Sequence, residues 1–304
     1  MRLVFVGAVE GSLVALNALI RAGLAPTLVV TLPAANAGRH SDFADLIGPA
    51  RAAGSAVHET TDINAEATIA AIAAVEPDVT AVIGWSQICR APFRAVARLG
   101  SIGFHPAPLP RFRGRAVIPW TILMGETESG SSLFWLDEGV DSGDILLQRR
   151  FPLSPDETAR SLYDRHTANL AAMLPEAVAR IRDGHAPREP QDHGQASWCA
   201  KRTPADGLID WRDDAEAILR LVRAVGDPYP GAFTAHAGEK IVIDRASLFP
   251  GGRRYIGMAG QVQLFTPGGF VVRCGDGECI EVTGWRSASG KRPKMHARLG
   301  GDIA

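Results

Sequence analysis

Two short segments concentrate residues able to do chemistry. Residues 103–114 read Gly-Phe-His-Pro-Ala-Pro-Leu-Pro-Arg-Phe-Arg-Gly, and residues 137–144 read Asp-Glu-Gly-Val-Asp-Ser-Gly-Asp. In the first, His105 closes an apolar run, and Pro106, Pro108 and Pro110 then dictate a rigid, non-helical loop. An imidazole held there can give or take a proton near neutral pH. In the second, Gly139 and Gly143 on either side of Asp141 let the backbone approach a ligand closely. Each segment alone has a plain explanation. A strand-end histidine is more often structural, and a turn loaded with Asp and Gly is ordinary turn chemistry. Both segments follow apolar strands, however, and are expected at the same edge of a sheet, where open parallel sheets place their ligands. An imidazole and a carboxylate meeting there point to proton transfer and charge stabilisation.

Other chemistries are weaker in the sequence. The four cysteines, Cys89, Cys199, Cys274 and Cys279, include no C-x-x-C pair. Cys274 and Cys279 flank Gly-Asp-Gly-Glu, which reads as a hairpin turn, so reduced thiols and no metal are expected. Gly7 and Gly11 lack the complete G-x-G-x-x-G spacing of a dinucleotide site and read as a tight turn into a helix.

The elements that must position His105 and Asp141 follow an α/β rhythm. Leu3–Val6, Thr27–Thr31, Val79–Ile83 and Ser101–His105 are apolar or β-rich runs. Between them, Leu13, Leu16, Leu19 and Ile20 recur at helical spacing before Gly23, and Ala65–Val75 reads as a helix with Asn64 as its N-cap. Residues 131–137 and 145–153 are further strands, and a long helix spans Glu157 to Arg182. This pattern predicts a doubly wound, mostly parallel sheet covered on both faces. Residues 184–194, rich in His, Pro, Gln, Asp and Gly, read as a surface connection. After a helix at Ala215–Val225, short runs at 232–236, 240–243, 260–265, 269–274 and 278–282 predict a smaller C-terminal β-barrel of OB-like type. The expected division is 1–204 and 205–304.

His105-Pro-Ala-Pro-Leu-Pro-Arg-Phe-Arg-Gly114, with Ile118, Trp120, Gly125-Glu126, Gly130 and Gly139-Val140-Asp141-Ser142-Gly143, resembles the folate-dependent formyltransferases. Asp206-Gly-Leu-Ile-Asp-Trp211 and Arg223-Ala-Val-Gly-Asp-Pro-Tyr-Pro-Gly-Ala232 resemble the entry to the C-terminal barrel of the tRNA-acting members, so the likeness covers nearly the whole chain. The resemblance implies a formyltransferase-type Rossmann-like fold, 10-formyltetrahydrofolate as co-substrate and no metal. It implies His105 as donor to the developing oxyanion and Asp141 as the group that orients the imidazole and helps remove the amine proton. The family's asparagine stands two residues before the histidine, where this chain has Gly103. Gln87, after the Val79–Ile83 strand, is the candidate to supply the missing carboxamide. The resemblance further implies Ser86, Gln87, Ile88, Leu136, Asp137 and Glu138 as folate contacts. Trp85 either stacks on the ligand or packs in the core. Arg113 either braces its loop or meets substrate, and Arg39 and His40, in the loop at 34–45, are either solvated or substrate-binding.

Charge bears on the acceptor. The net charge of −1, and a single arginine in Leu32–Phe43 where tRNA-acting members carry a longer, basic loop, favour a small amine such as an amino-sugar nucleotide over tRNA. The basic cluster Arg286–Arg298 reads as a solvated tail. Methionyl-tRNA formyltransferase is the alternative reading, and a formyl-folate hydrolase or altered binding protein a further one. No run approaches the roughly 20 apolar residues of a membrane span, and the apolar N-terminal run is too short for a signal-peptide core. A cytoplasmic enzyme without membrane contact is expected, with homodimerisation open.

Overall fold

A computed structural model describes residues 1–39 and 42–300 and divides the chain into two compact units. The first comprises Met1–Val117, Glu128–Pro152 and Tyr163–Ala200; the second comprises Ile118–Thr127, Leu153–Leu162 and the chain from Lys201 onward.

Nine strands and six helices run through the first 200 residues: β1 (Leu3–Val6), α1 (Glu10–Arg21), β2 (Leu28–Thr31), α2 (Ile47–Ala52), β3 (Ala56–Glu59), α3 (Glu66–Ala73), β4 (Val79–Val82), α4 (Ala91–Arg94), β5 (Ser101–His105), β6 (Arg113–Gly114), α5 (Val117–Leu123), β7 (Glu128–Trp135), β8 (Ile145–Pro152), α6 (Ala159–Arg182) and β9 (Trp198–Cys199). The central sheet has the order β3-β2-β1-β4-β5-β7-β8. The first five strands are parallel, and β7 and β8 join antiparallel. β1, β2 and β4 are buried at every position, as their continuous apolar runs require of strands covered on both faces. One face packs Leu16 and Leu19 of α1 against Leu170, Met173, Leu174 and Val178 of α6. The 3- and 4-residue spacings of that α6 stripe place it on one side of the helix. The other face gathers Val4, Val6, Val30, Ile72 and Phe93, with Trp85 and Leu136 at its rim.

The N-cap of α3 is Ala65 rather than Asn64. Asn64 instead reaches across to the 88–90 segment: its amide donates to the Ile88 carbonyl at 3.0 Å and its oxygen accepts from Arg90 N at 2.8 Å. A tertiary partner has outcompeted the local cap.

The second unit contains α7 (Ala215–Val225) and the strands β10 (Ala232–His236), β11 (Glu239–Leu248), β12 (Val262–Thr266), β13 (Gly269–Arg273) and β14 (Cys279–Ser287). They form an antiparallel sheet of order β10-β11-β14-β13-β12. Asp214 caps α7 by accepting from Ala217 N at 2.7 Å. Cys274 and Cys279 do flank a tight turn, and both are buried free thiols. The basic cluster is not a loose tail. Arg286 lies in β14 and pairs with Asp244, and the 296–297 backbone hydrogen-bonds to Val262 of β12.

α6 also buries a histidine. His166 Nδ1 meets Ser131 Oγ at 2.9 Å, while Nε2 has no partner. Burial, reinforced by the positive charge of His105 and Arg165, pushes its imidazole down to about 3. The unfolded chain takes up this proton near the ordinary histidine value of about 6.5. Between those two values the unfolded state binds more protons, so stability falls as pH drops through that window. Urea melts from about pH 7 to pH 4 should show this acid loss, and His166→Leu should flatten it by up to about 1.4 kcal/mol per pH unit.

Candidate active site

His105 is the last residue of β5, flanked by parallel β4 and antiparallel β7. The proline loop after it is fastened to the two antiparallel strands. Ser132 Oγ donates to the Ala107 carbonyl at 2.7 Å, and Gln148 Nε2 donates to the Leu109 carbonyl at 2.8 Å. The loop returns so that the Phe112 carbonyl stands 2.7 Å from His105 Nε2. A carbonyl only accepts, so Nε2 carries the hydrogen and the ring is held in one orientation. Nδ1 then faces Asp141 Oδ2 at 3.5 Å. That gap is too long for a hydrogen bond, so Nδ1 faces the carboxylate without being tied to it. His105 is buried, whereas Asp141 is half-buried.

The Asp141 carboxylate is aimed by Gly114, whose N–H donates to Oδ2 at 2.8 Å. Its backbone has φ of 52°, a left-handed conformation that is uncommon outside glycine and has to be held by its surroundings. Gln191 does the holding. Its Nε2 donates to the carbonyls of Asp141 at 2.9 Å and Gly143 at 2.6 Å, and its Oε1 accepts from Arg113 Nε at 3.2 Å and Nη2 at 2.6 Å. Arg113 is only 3% exposed, so of its two predicted roles the structure shows bracing and corrects substrate contact.

The structure brings His105 and Asp141 together but does not bring Gln87 to them. Gln87 Oε1 accepts from Ile63 N at 2.9 Å and Trp85 Nε1 at 3.1 Å, and Nε2 donates to the Thr61 carbonyl at 2.9 Å. Its amide is committed to the 61–63 turn, which corrects its expected place beside the reacting group. Nor can Gly103 be read as a vacant slot. A Cβ there would lie 2.7 Å from Leu136 Cδ2 and 3.2 Å from the Phe134 ring. Apolar groups fill the volume that a side chain at 103 would use.

Of the predicted folate contacts, the 86–88 segment follows the carboxyl end of β4, whereas the 136–138 segment follows antiparallel β7, where Leu136 N donates to the Ser101 carbonyl at the start of β5. Ser86 and Ile88 are exposed, and the Ser86 carbonyl accepts from Arg115 Nη2 at 2.8 Å. Leu136 and Trp85 are partly buried against the same apolar cluster. Asp137 accepts from Ser142 Oγ and Gly139 N and so shapes the turn before Asp141, while Glu138 is exposed. His40 lies outside the described residues, and of Arg39 only the backbone, ending a short 3₁₀ turn, is described.

Sequence reasoning missed Gln191, an amide in a polar stretch that nothing in its local spacing marks, and assigned Asn64 to the α3 cap rather than to the 88–90 segment. The 184–194 segment is not a mere surface connection: Glu189 and Ile145 exchange backbone hydrogen bonds, and Gln191 is buried.

A family model described as formyl transferase matches residues 1–178, and one described as formyl transferase, C-terminal domain, matches residues 201–301. The chain belongs to the formyl transferase family. Among curated relatives, this formyl transferase is 35% identical to the methionyl-tRNA formyltransferase of Symbiobacterium thermophilum over 92% of its own length and 86% of the relative's. It is 32% identical to that of Geobacter metallireducens over 91% and 88%. The fold is similar to HypX from Aquifex aeolicus, solved with tetrahydrofolic acid, at 20% identity and a TM-score of 0.67 over 95% of this chain and 44% of HypX. It is likewise similar to the sugar 3N-formyl transferase WlaRD, solved with dTDP and 5-N-formyl-THF, at 17% identity and a TM-score of 0.67 over 93% and 97%.

Family membership makes the chain a formyl-folate-dependent N-formyltransferase. The candidate residues fit such a co-substrate: Trp85 and Leu136 are partly buried against one apolar cluster, and Ser86 and Ile88 are exposed. Among the described residues no cluster of His, Cys, Asp or Glu is arranged to hold a metal, and no helix is long and apolar enough to cross a membrane. Because Gln87 ties Trp85 to the 61–63 turn, Gln87→Ala should raise the KM for formyl-folate about 3- to 10-fold with kcat nearly unchanged, as steady-state kinetics would show. A fall in kcat of a hundredfold would instead restore Gln87 to the chemistry.

Proposed function

We propose that this formyl transferase moves the formyl group of 10-formyltetrahydrofolate to the α-amine of methionine carried on tRNA. The observation that carries the reading is the similarity to methionyl-tRNA formyltransferases, which runs through both parts of the chain. It displaces the small-amine expectation drawn from net charge. Phosphate binding depends on local rather than total charge. Arg286–Arg298 holds five Lys or Arg residues and no Asp or Glu, and Lys291, Arg292, Lys294 and Arg298 are exposed.

Formyl-folate supplies the electrophilic formyl carbon. His105, anchored through Nε2, presents Nδ1 to the charge that builds on the formyl oxygen. Asp141 stabilises the protonated imidazole, takes the proton that the attacking amine must lose, and returns it to the folate nitrogen as the intermediate collapses and the formyl–folate C–N bond breaks, releasing tetrahydrofolate. This chemistry is assigned to the region within residues 1–204 that holds His105 and Asp141. A cytoplasmic location goes with the reading.

A second reading, transfer to a small amino-sugar nucleotide, is favoured by the single arginine in Leu32–Phe43. Incubation of the protein with formyl-folate and methionyl-tRNA, amino-sugar nucleotides, or no amine separates the readings. The proposal expects formyl-methionyl-tRNA, with binding that weakens steeply as salt rises. Transfer only to the sugar amine would overturn it, and hydrolysis without any amine would overturn both.

A further inference from the structure

Trp198 presents a large apolar side chain to solvent, 67% exposed, beside a site whose other aromatic groups are mostly tucked in. Its backbone is nonetheless held firmly. Trp198 and Cys199 pair with Arg113 and Gly114, the very segment whose Gly114 N–H aims Asp141. Arg113 N donates to the Ser197 carbonyl at 2.8 Å, Arg115 N donates to the Cys199 carbonyl at 3.1 Å, and Phe112 N donates to Ser197 Oγ at 2.9 Å.

The indole also has a defined side. The Arg113 guanidinium lies 6.0 Å from its ring centroid, and that guanidinium is bonded to Gln191, whose amide holds the Asp141 and Gly143 carbonyls. A path of three side chains therefore joins the indole to the backbone of Asp141. A cation beneath one ring face favours this placement of the indole, and the backbone bonds leave only the side-chain torsions to be ordered when a ligand covers the ring.

From this geometry we infer that Trp198 is a stacking platform for a nucleobase of the amine acceptor. The inference rests on the formyl-transfer reading and deepens it on the acceptor side. A nucleobase is common to both acceptors considered: the terminal adenine of an aminoacylated tRNA and the base of an amino-sugar nucleotide. Stacking on an exposed indole suits either, because every base offers a π-face. Trp198 is a binding residue on this view and takes no part in proton transfer.

The test compares wild type, Trp198→Ala and Trp198→Phe. Trp198→Ala should raise the KM for the acceptor roughly 5- to 100-fold, while kcat at saturating acceptor and the KM for formyl-folate stay within about twofold. Trp198→Phe should recover most of the loss. AMP as a competitive inhibitor against the acceptor identifies the tRNA end as the source of the base, and UMP or dTMP identifies a sugar nucleotide. An unchanged acceptor KM in Trp198→Ala overturns the inference. So does a parallel rise in both KM values with a lowered melting temperature, which is the signature of a merely structural side chain. Titration with AMP, UMP and dTMP, following the indole emission that differs between wild type and Trp198→Phe, reads the stacking without turnover. A wild type that binds a nucleotide through Trp198 yet formylates neither acceptor sinks the proposed function and leaves the platform standing. One that formylates with Trp198 emission unaltered by any of them sinks the platform alone.

Discussion

His105→Ala should lower kcat by about 10²–10³ while the KM for formyl-folate moves only a few-fold, because on the proposed mechanism the oxyanion donor is lost. The loss is expected at the larger end of that range for a reason specific to this chain. Gly103 contributes no side chain, Leu136 and Phe134 fill the space beside it, and the Gln87 amide is bound to the 61–63 turn. His105 thus carries the donor task without help from a carboxamide at either predicted position. Asp141→Asn should come close to the same loss. Its side-chain oxygen can still accept from Gly114 N, so the shape of the loop survives while the negative charge facing Nδ1 is removed. Single-turnover rates with saturating formyl-folate check both variants, and His105→Ala at more than a tenth of wild-type kcat would remove this residue from the chemistry.

The second large effect comes from a residue with no side chain to offer the chemistry. A Cβ on Gly143 would overlap the Trp135 carbonyl oxygen and crowd the Asp137 nitrogen, and neither backbone atom can yield as a side-chain tip could. Gly143 is also where Gln191 anchors the segment, through its carbonyl at 2.6 Å. Gly143→Ala should therefore destabilise the protein by about 3–5 kcal/mol, in the range reserved for backbone clashes and broken buried networks. It should also cut kcat/KM by more than tenfold at temperatures where it is folded, because Asp141 moves with the loop. Gly48→Ala is the matched control. Gly48 lies within α2 with nothing near its Cβ position, so alanine there should leave stability unchanged or raise it by about 0.5–1 kcal/mol. Denaturant melts of the two variants separate conformational restriction from general sensitivity to a methyl group.

Much of the architecture was legible because its signals are local. Fully buried parallel strands need continuous apolar runs, and β1, β2, β4 and β5 showed them. β3, only partly buried, left no such run to read. The antiparallel addition of β7 and β8 was equally illegible in direction, because an apolar strand carries no mark of the neighbour it will pair with. The Asn64 cap failed for a related reason: a side chain able to satisfy its own helix found better partners at Ile88 and Arg90.

By itself the sequence determined the sheet-and-helix order, the family, and the pair His105 and Asp141 as candidates for the chemistry, since the prolines after His105 stiffen its loop and the glycines around Asp141 free its backbone wherever they occur. Only the tertiary structure decided that His105 Nε2 is tied to the Phe112 carbonyl, that the Arg113 guanidinium is bonded to Gln191, that the Gln87 amide is bonded to the 61–63 turn, and that a distant glutamine holds Asp141 in a left-handed conformation. Hydrogen bonds between residues 50 or more positions apart depend on how strands and loops are brought together in space, and no spacing along the chain encodes them.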